Sequence, residues 1–223
     1  MSDKLPLILL PGLGADERMF SSMRGSLPQI STPRWIEPVA GESVAEYARR
    51  FAPEVDPGKP FLIGGASFGG VVAQELAALL PNAKLCFVIG SATSEKSRPW
   101  HIRILRPITP FIGILPWIAP YLVKLVGVFL RAPTRGVLMQ LGATNPRFLR
   151  WGAQAVLRWK PSPGIANVNV VHIHGDMDKV FPLQLAKPDH IVAGAGHLIA
   201  ITHYRQVADL IRQQIESLES EPD

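Results

Sequence analysis

A chain of 223 residues, 47% hydrophobic and 18% charged, is long and apolar enough to bury a sizeable core. That excludes a disordered segment and a disulfide-built miniprotein, and leaves one globular domain with an insertion at most. The 23 basic against 18 acidic residues give a formal charge of +5, so anionic partners have to be weighed. The single cysteine, Cys86, sits in the apolar run Leu85-Cys86-Phe87-Val88-Ile89. It excludes an internal disulfide and a cysteine zinc site and reads as a buried, inert thiol.

In chain order, Met1 to Lys4 precede six mostly apolar residues before Pro11-Gly12, too short for a signal-peptide core, so a cytoplasmic protein is expected. Short, nearly continuous runs of branched apolar residues recur at Leu7 to Leu10, Phe61 to Ile63, Leu85 to Ile89, Val168 to Ile173 and Ile191 to Ala193. Strands covered on both faces read this way. A weaker strand is expected near Arg34 to Glu37, making about six. Helices are predicted after the capping box Ser43-Val44-Ala45-Glu46, over Phe68 to Leu80 before Pro81, and from Tyr204 through Leu218. Strands alternating with helices predict an α/β fold, a mostly parallel sheet flanked by helices.

The alternation breaks between Ala92 and Lys160, where helical and proline-broken segments carry no strand pattern. We expect a core of residues 1–91 and 161–223 with a helical cap, 92–160, inserted in it. Eleven of the 23 basic residues fall in the insertion against Glu95 alone, leaving the rest with 12 basic and 17 acidic residues. Trp100, Trp117, Trp151 and Trp159 lie there too, beside the uncharged run Pro107 to Val123, whose four prolines exclude an unbroken membrane-spanning helix. Two readings fit. One is an ordinary cap covering an active site; the other is a basic, apolar face making peripheral contact with anionic lipid. Either implies an apolar pocket. Nucleic acid is not expected, because the aromatics lie among aliphatics and no binding motif is present.

The chemistry centres on Gly65-Ala66-Ser67-Phe68-Gly69, a G-x-S-x-G between a predicted strand and helix. On that tight turn Ser67 stands above the strand end as a candidate nucleophile. A glycine turn packing helix to sheet is the structural alternative. A serine needs a base and the base an orienting acid. Downstream, Gly175-Asp176-Met177-Asp178 and Gly194-Ala195-Gly196-His197 each follow a predicted strand, and parallel strand ends gather at one edge. Upstream, Leu7 to Leu10 run into Pro11-Gly12-Leu13-Gly14, whose Leu13 N–H, with that of Phe68, is suited to hold an oxyanion.

On these motifs the chain resembles the α/β-hydrolase superfamily, in particular small serine hydrolases of the esterase and lipase kind with a helical cap. The resemblance implies Ser67 as nucleophile, His197 as base and Asp178, three residues after Gly175, as acid, with Asp176 as second choice. It implies an oxyanion hole of the Leu13 and Phe68 N–H groups. Pro11 departs from the family, which often has His there. Glu95 lies where some relatives place the acid, and His203 is a further histidine near His197. His172 and His174, two apart on one strand, suggest a metal pair but lack a third ligand, so no metal and no cofactor is expected. The implied activity is hydrolysis of carboxylic esters, or thioesters, of small to medium acyl chains through an acyl-enzyme. The alternatives are amidase, C–C hydrolase, acyltransferase or perhydrolase chemistry on the same fold, and a non-catalytic lipid- or membrane-binding module.

Overall fold

The computed structural model describes residues 5–97, 114, 140 and 143–220. Six parallel strands form one sheet: β1 (Leu7–Leu10), β2 (Ile30–Ser31), β3 (Phe61–Ala66), β4 (Ala83–Ile89), β5 (Val170–Gly175) and β6 (His190–Val192), in the order β2-β1-β3-β4-β5-β6. The order reverses direction at β1, with β3 on its other side. In such sheets, ligands bind outside the carboxyl ends of strands near a reversal.

The continuous apolar runs are explained by helices on both faces. Ile8, Leu10, Phe61, Ile63, Cys86 and Val88 face one layer, built from α1 (Val44–Val55), α2 (Phe68–Leu79) and α3 (Pro146–Arg158). Leu7, Leu9, Leu62, Phe87 and Ile89 face the other, which contains the 3-10 turns Glu17–Met23 and the helices α5 (Ile199–Thr202) and α6 (Tyr204–Ser220). A short α4 (Leu183–Ala186) lies between β5 and β6. Cys86 is fully buried.

The capping box forms as expected, Ser43 Oγ accepting from Glu46 N while Glu46 Oε2 accepts from Ser43 N. The strand expected near Arg34 to Glu37 does not form; the edge strand is the two-residue β2 further upstream. The reason is local. Tyr47 of α1 inserts its hydroxyl against Ile36, accepting from Ile36 N at 3.1 Å and donating to Ile36 O at 3.0 Å. Both groups a ladder would use are thereby consumed by one side chain.

Of the expected cap, Arg98, Trp100, Arg103, Arg106, Lys124, Arg131 and Arg135 and the run Pro107 to Val123, with Trp117, lie outside the described residues, apart from Ile114. Towards the end of the expected cap range lies α3, begun by Asn145 Oδ1 accepting from Arg147 N and by Pro146 at its first position. It buries Phe148, Leu149, Trp151 and Ala155. Trp151 donates its indole N–H to Glu42 O at 2.9 Å and Trp159 donates to Glu75 Oε1 at 2.7 Å. Both tryptophans are buried in the core layer, so neither contributes an exposed interfacial surface. Among the described residues no helix is long and apolar enough to cross a membrane.

Candidate active site

β3 ends at Ala66 and α2 begins at Phe68, so one residue, Ser67, makes the whole turn. Its backbone stands at φ 51° and ψ −118°, a strained conformation for a residue with a Cβ. Neighbours hold it there. Ser67 N donates to Ile89 O of β4 at 3.0 Å, and Ser91 Oγ donates to Ser67 O at 2.6 Å. Gln74 Nε2 bridges Gly70 O and Ala92 O, tying the first turn of α2 to the end of β4. The glycines of the motif are required by proximity: a Cβ on Gly65 would lie 2.3 Å from the backbone of Gly69.

The structure brings Ser67, His197 and Asp178 into one chain of hydrogen bonds. His197 Nε2 lies 2.9 Å from Ser67 Oγ, and His197 Nδ1 lies 2.9 Å from Asp178 Oδ2. The loops bearing Asp178 and His197 are fastened together, Met177 N donating to Ala195 O at 2.9 Å. Gly175 permits that approach, since a Cβ there would lie 2.2 Å from the same oxygen. The Asp178 side chain is fully buried whereas 21% of the His197 side chain is exposed, leaving the imidazole accessible beside a half-buried serine.

Burial pushes the Asp178 carboxyl towards a higher pKa. The His197 hydrogen bond and charge, with the N–H groups of Phe181 and Val180 on Oδ1, outweigh it and hold the group below its ordinary value. The Asp178 carboxyl is therefore held in its ionised form and fixed in orientation. Asp178 Oδ2 takes the Nδ1 side of the His197 ring, so Nε2 is the nitrogen that faces the serine hydroxyl.

Gly12 lies beside the elbow, a Cβ there reaching 3.6 Å from Ser67 Cβ, and Gly14 turns the chain at φ 78°. Leu13 lies between them, its side chain packed against Gly152 of α3. Phe68 is the first residue of α2, so the helix offers its N–H no acceptor. The other residues weighed from the sequence lie elsewhere. Asp176 and Glu95 are exposed, the latter in the 3-10 turn Glu95–Ser97. His203 lies between α5 and α6, its Nδ1 against Thr202 Oγ1. His172 and His174 bond to each other, and among the described residues no group of three His, Cys, Asp or Glu is arranged to hold a metal. Sequence reasoning missed Ser91 and Phe181. A small polar residue just past a strand end was the signal for Ser91; nothing local marked Phe181.

A parallel sheet whose central strand turns through a strained serine into a helix, with a histidine and an aspartate delivered from later strand ends, defines the α/β-hydrolase class. The sequence model described as the alpha/beta hydrolase family matches residues 7–210. The chain belongs to that family. No curated protein matches it in sequence. Among solved structures it is similar to a thermophilic esterase from Thermogutta terrifontis (TM-score 0.73, 18% identity, covering 96% of this chain and 90% of that one). It is likewise similar to MenH from S. aureus (0.74, 14%, 99% and 96%) and to the enol-lactonase from Burkholderia xenovorans LB400 (0.71, 14%, 95% and 91%).

Proposed function

We propose that the protein is a serine hydrolase that cleaves carboxylic esters or thioesters of small to medium acyl chains through an acyl-enzyme. The observation that carries this reading is the unbroken Ser67–His197–Asp178 chain, with 2.9 Å at each link. Ser67 Oγ attacks the acyl carbonyl carbon while its proton passes to His197 Nε2. Asp178, remaining ionised, stabilises the imidazolium through Nδ1–H. The N–H groups of Leu13 and Phe68 receive the tetrahedral oxyanion. Collapse breaks the bond to the leaving alcohol or thiol, which takes the proton from Nε2. Water then enters, gives a proton to the same nitrogen and attacks the acyl-enzyme, and the returning proton frees Ser67.

The elbow is backed by aromatic side chains buried in the core layer. Trp35 and Phe148 pack against Phe68 with ring centroids at 5.5 and 5.9 Å. The test is hydrolysis of p-nitrophenyl esters from acetate to palmitate by wild type and Ser67→Ala, with matching acyl thioesters in parallel. Serine-dependent turnover with an optimum chain length is expected. Turnover that survives Ser67→Ala, or none on either ester class, would sink the reading.

A further inference from the structure

Asp178 is bonded on more sides than the reaction alone requires. Oδ1 accepts from Val180 N at 2.7 Å and Phe181 N at 3.0 Å, while Oδ2 accepts from His197. Phe181 makes three different contacts with this machinery. Its N–H holds the acid, its ring lies against His197 with centroids at 5.6 Å, and its carbonyl oxygen is 2.7 Å from Nε2 of the fully buried His174. His174 projects from β5, which is paired with a strand on either side, and also brings the same Nε2 to 3.4 Å from Asp178 Oδ2.

The acceptors determine the tautomer. A carbonyl oxygen can only accept, so the proton of His174 sits on Nε2, and its bare Nδ1 accepts from His172 Nε2, 3.1 Å away. His172 Nδ1 is buried and makes no close hydrogen bond, with backbone groups of Ser91 and Ala186 near the ring. Burial favours the neutral form of both rings. A neutral donor is what the site needs here, because a second imidazolium beside Asp178 would compete with that of His197 for the same carboxylate.

Resting on the serine-hydrolase reading above, we infer that His174 is a positioning residue for both acid and base, which it orients by fixing Phe181 from β5. The donor is Nε2–H, so a side chain that keeps an N–H at that place keeps the function. The amide nitrogen of Gln overlays Nε2, whereas that of Asn overlays Nδ1 and falls short of Phe181 O.

The experiment compares wild type, His174→Gln and His174→Asn in steady-state hydrolysis of the best ester and in the rate of Ser67 labelling by a fluorophosphonate. Thermal melting is measured alongside, and Ser67→Ala is the control. Asn is expected to lose about 10- to 100-fold in kcat with KM within about twofold, and to label correspondingly slowly, as misaligned reacting groups do. Gln is expected within about threefold of wild type. Equal losses in Gln and Asn, or an Asn variant at the wild-type rate, would overturn the inference while wild type stays active. A wild type that neither hydrolyses nor labels at Ser67 would instead sink the hydrolase reading, and the inference with it. Should Asn fail to fold, imidazole 15N spectra of wild type decide the matter: Nε2–H on His174 is expected, and Nδ1–H refutes the role.

Discussion

Gly69 of α2 lies so close to Leu10 of β1 that a Cβ added to it would stand 2.1 Å from the Leu10 carbonyl oxygen and 2.5 Å from that of Pro11. Helix α2 and strand β1 therefore meet backbone to backbone, and the meeting sets the distance between the Leu13 turn and Ser67. Gly69→Ala has no flexible neighbour to displace, so strand or helix must move. A loss of about 1–3 kcal/mol or more is expected, with a disproportionate fall in activity. Gly25→Ala is the control: nothing lies within 4 Å of its Cβ position, and its urea midpoint should match wild type. Equal midpoints for the two variants would refute the close approach.

Ser67 itself stores strain. At φ 51° and ψ −118° any side chain is disfavoured, at a cost of about 1–3 kcal/mol. Glycine removes that strain but brings back about 0.5–1 kcal/mol of unfolded-state freedom. Ser67→Gly should therefore be about 1 kcal/mol more stable than Ser67→Ala, both having lost the bond to His197. Calorimetric melting of the pair checks this, and an alanine variant that melts higher than glycine would contradict it.

How far the sequence carries is visible at particular residues. The strand cores, the elbow and the Asp178 and His197 loops were legible because each couples a branched apolar run to a glycine turn, a pattern local in sequence. Register and edge were not. Nothing in Arg34 to Glu37 announces that a tyrosine eleven residues after Ile36 will take its backbone groups. The same blindness applies to Phe181, whose contacts with His174 and His197 exist only once β5 and the following loops have folded together. Trp151 and Trp159 show a third limit. Their composition suited an interface, but the rings are buried and their indole N–H groups find acceptors at Glu42 O and the buried Glu75.

The buried histidines make stability depend on pH. Burial, aided by the neighbouring His174, lowers the His172 pKa from 6.5 to about 4. A depressed folded-state value means that the unfolded chain binds the proton first. The stabilising contribution is complete above about pH 6.5, declines as pH falls, and is lost on passing through about 4. The shift corresponds to roughly 3 kcal/mol for this one group, and His174, also lowered by burial, acts in the same direction. Urea midpoints of wild type should fall between pH 7 and 4. His172→Gln, which keeps an N–H donor towards His174, should show a shallower fall. Parallel profiles for the two proteins would contradict a buried neutral His172.

One carboxyl group of α2 gathers three contacts from the segment that follows α3. Glu75, only 1% exposed on α2, accepts from Trp159 Nε1 at 2.7 Å and Ser162 N at 3.2 Å through Oε1, and from Ser162 Oγ at 2.5 Å through Oε2. No comparably short apolar residue can replace these three acceptor contacts. Glu75→Ala removes them and opens a cavity behind the helix that carries Ser67, which should cost about 3 kcal/mol or more. Glu75→Gln keeps the volume and an acceptor oxygen for the indole but turns an amide group towards Ser162, so a smaller loss of about 1–2 kcal/mol is expected. The order wild type, Gln, Ala in urea midpoint checks the arrangement, with Trp fluorescence reporting the Trp159 environment. An alanine variant as stable as wild type, with unchanged emission, would show that the carboxyl group does not hold α3 and the segment after it onto α2.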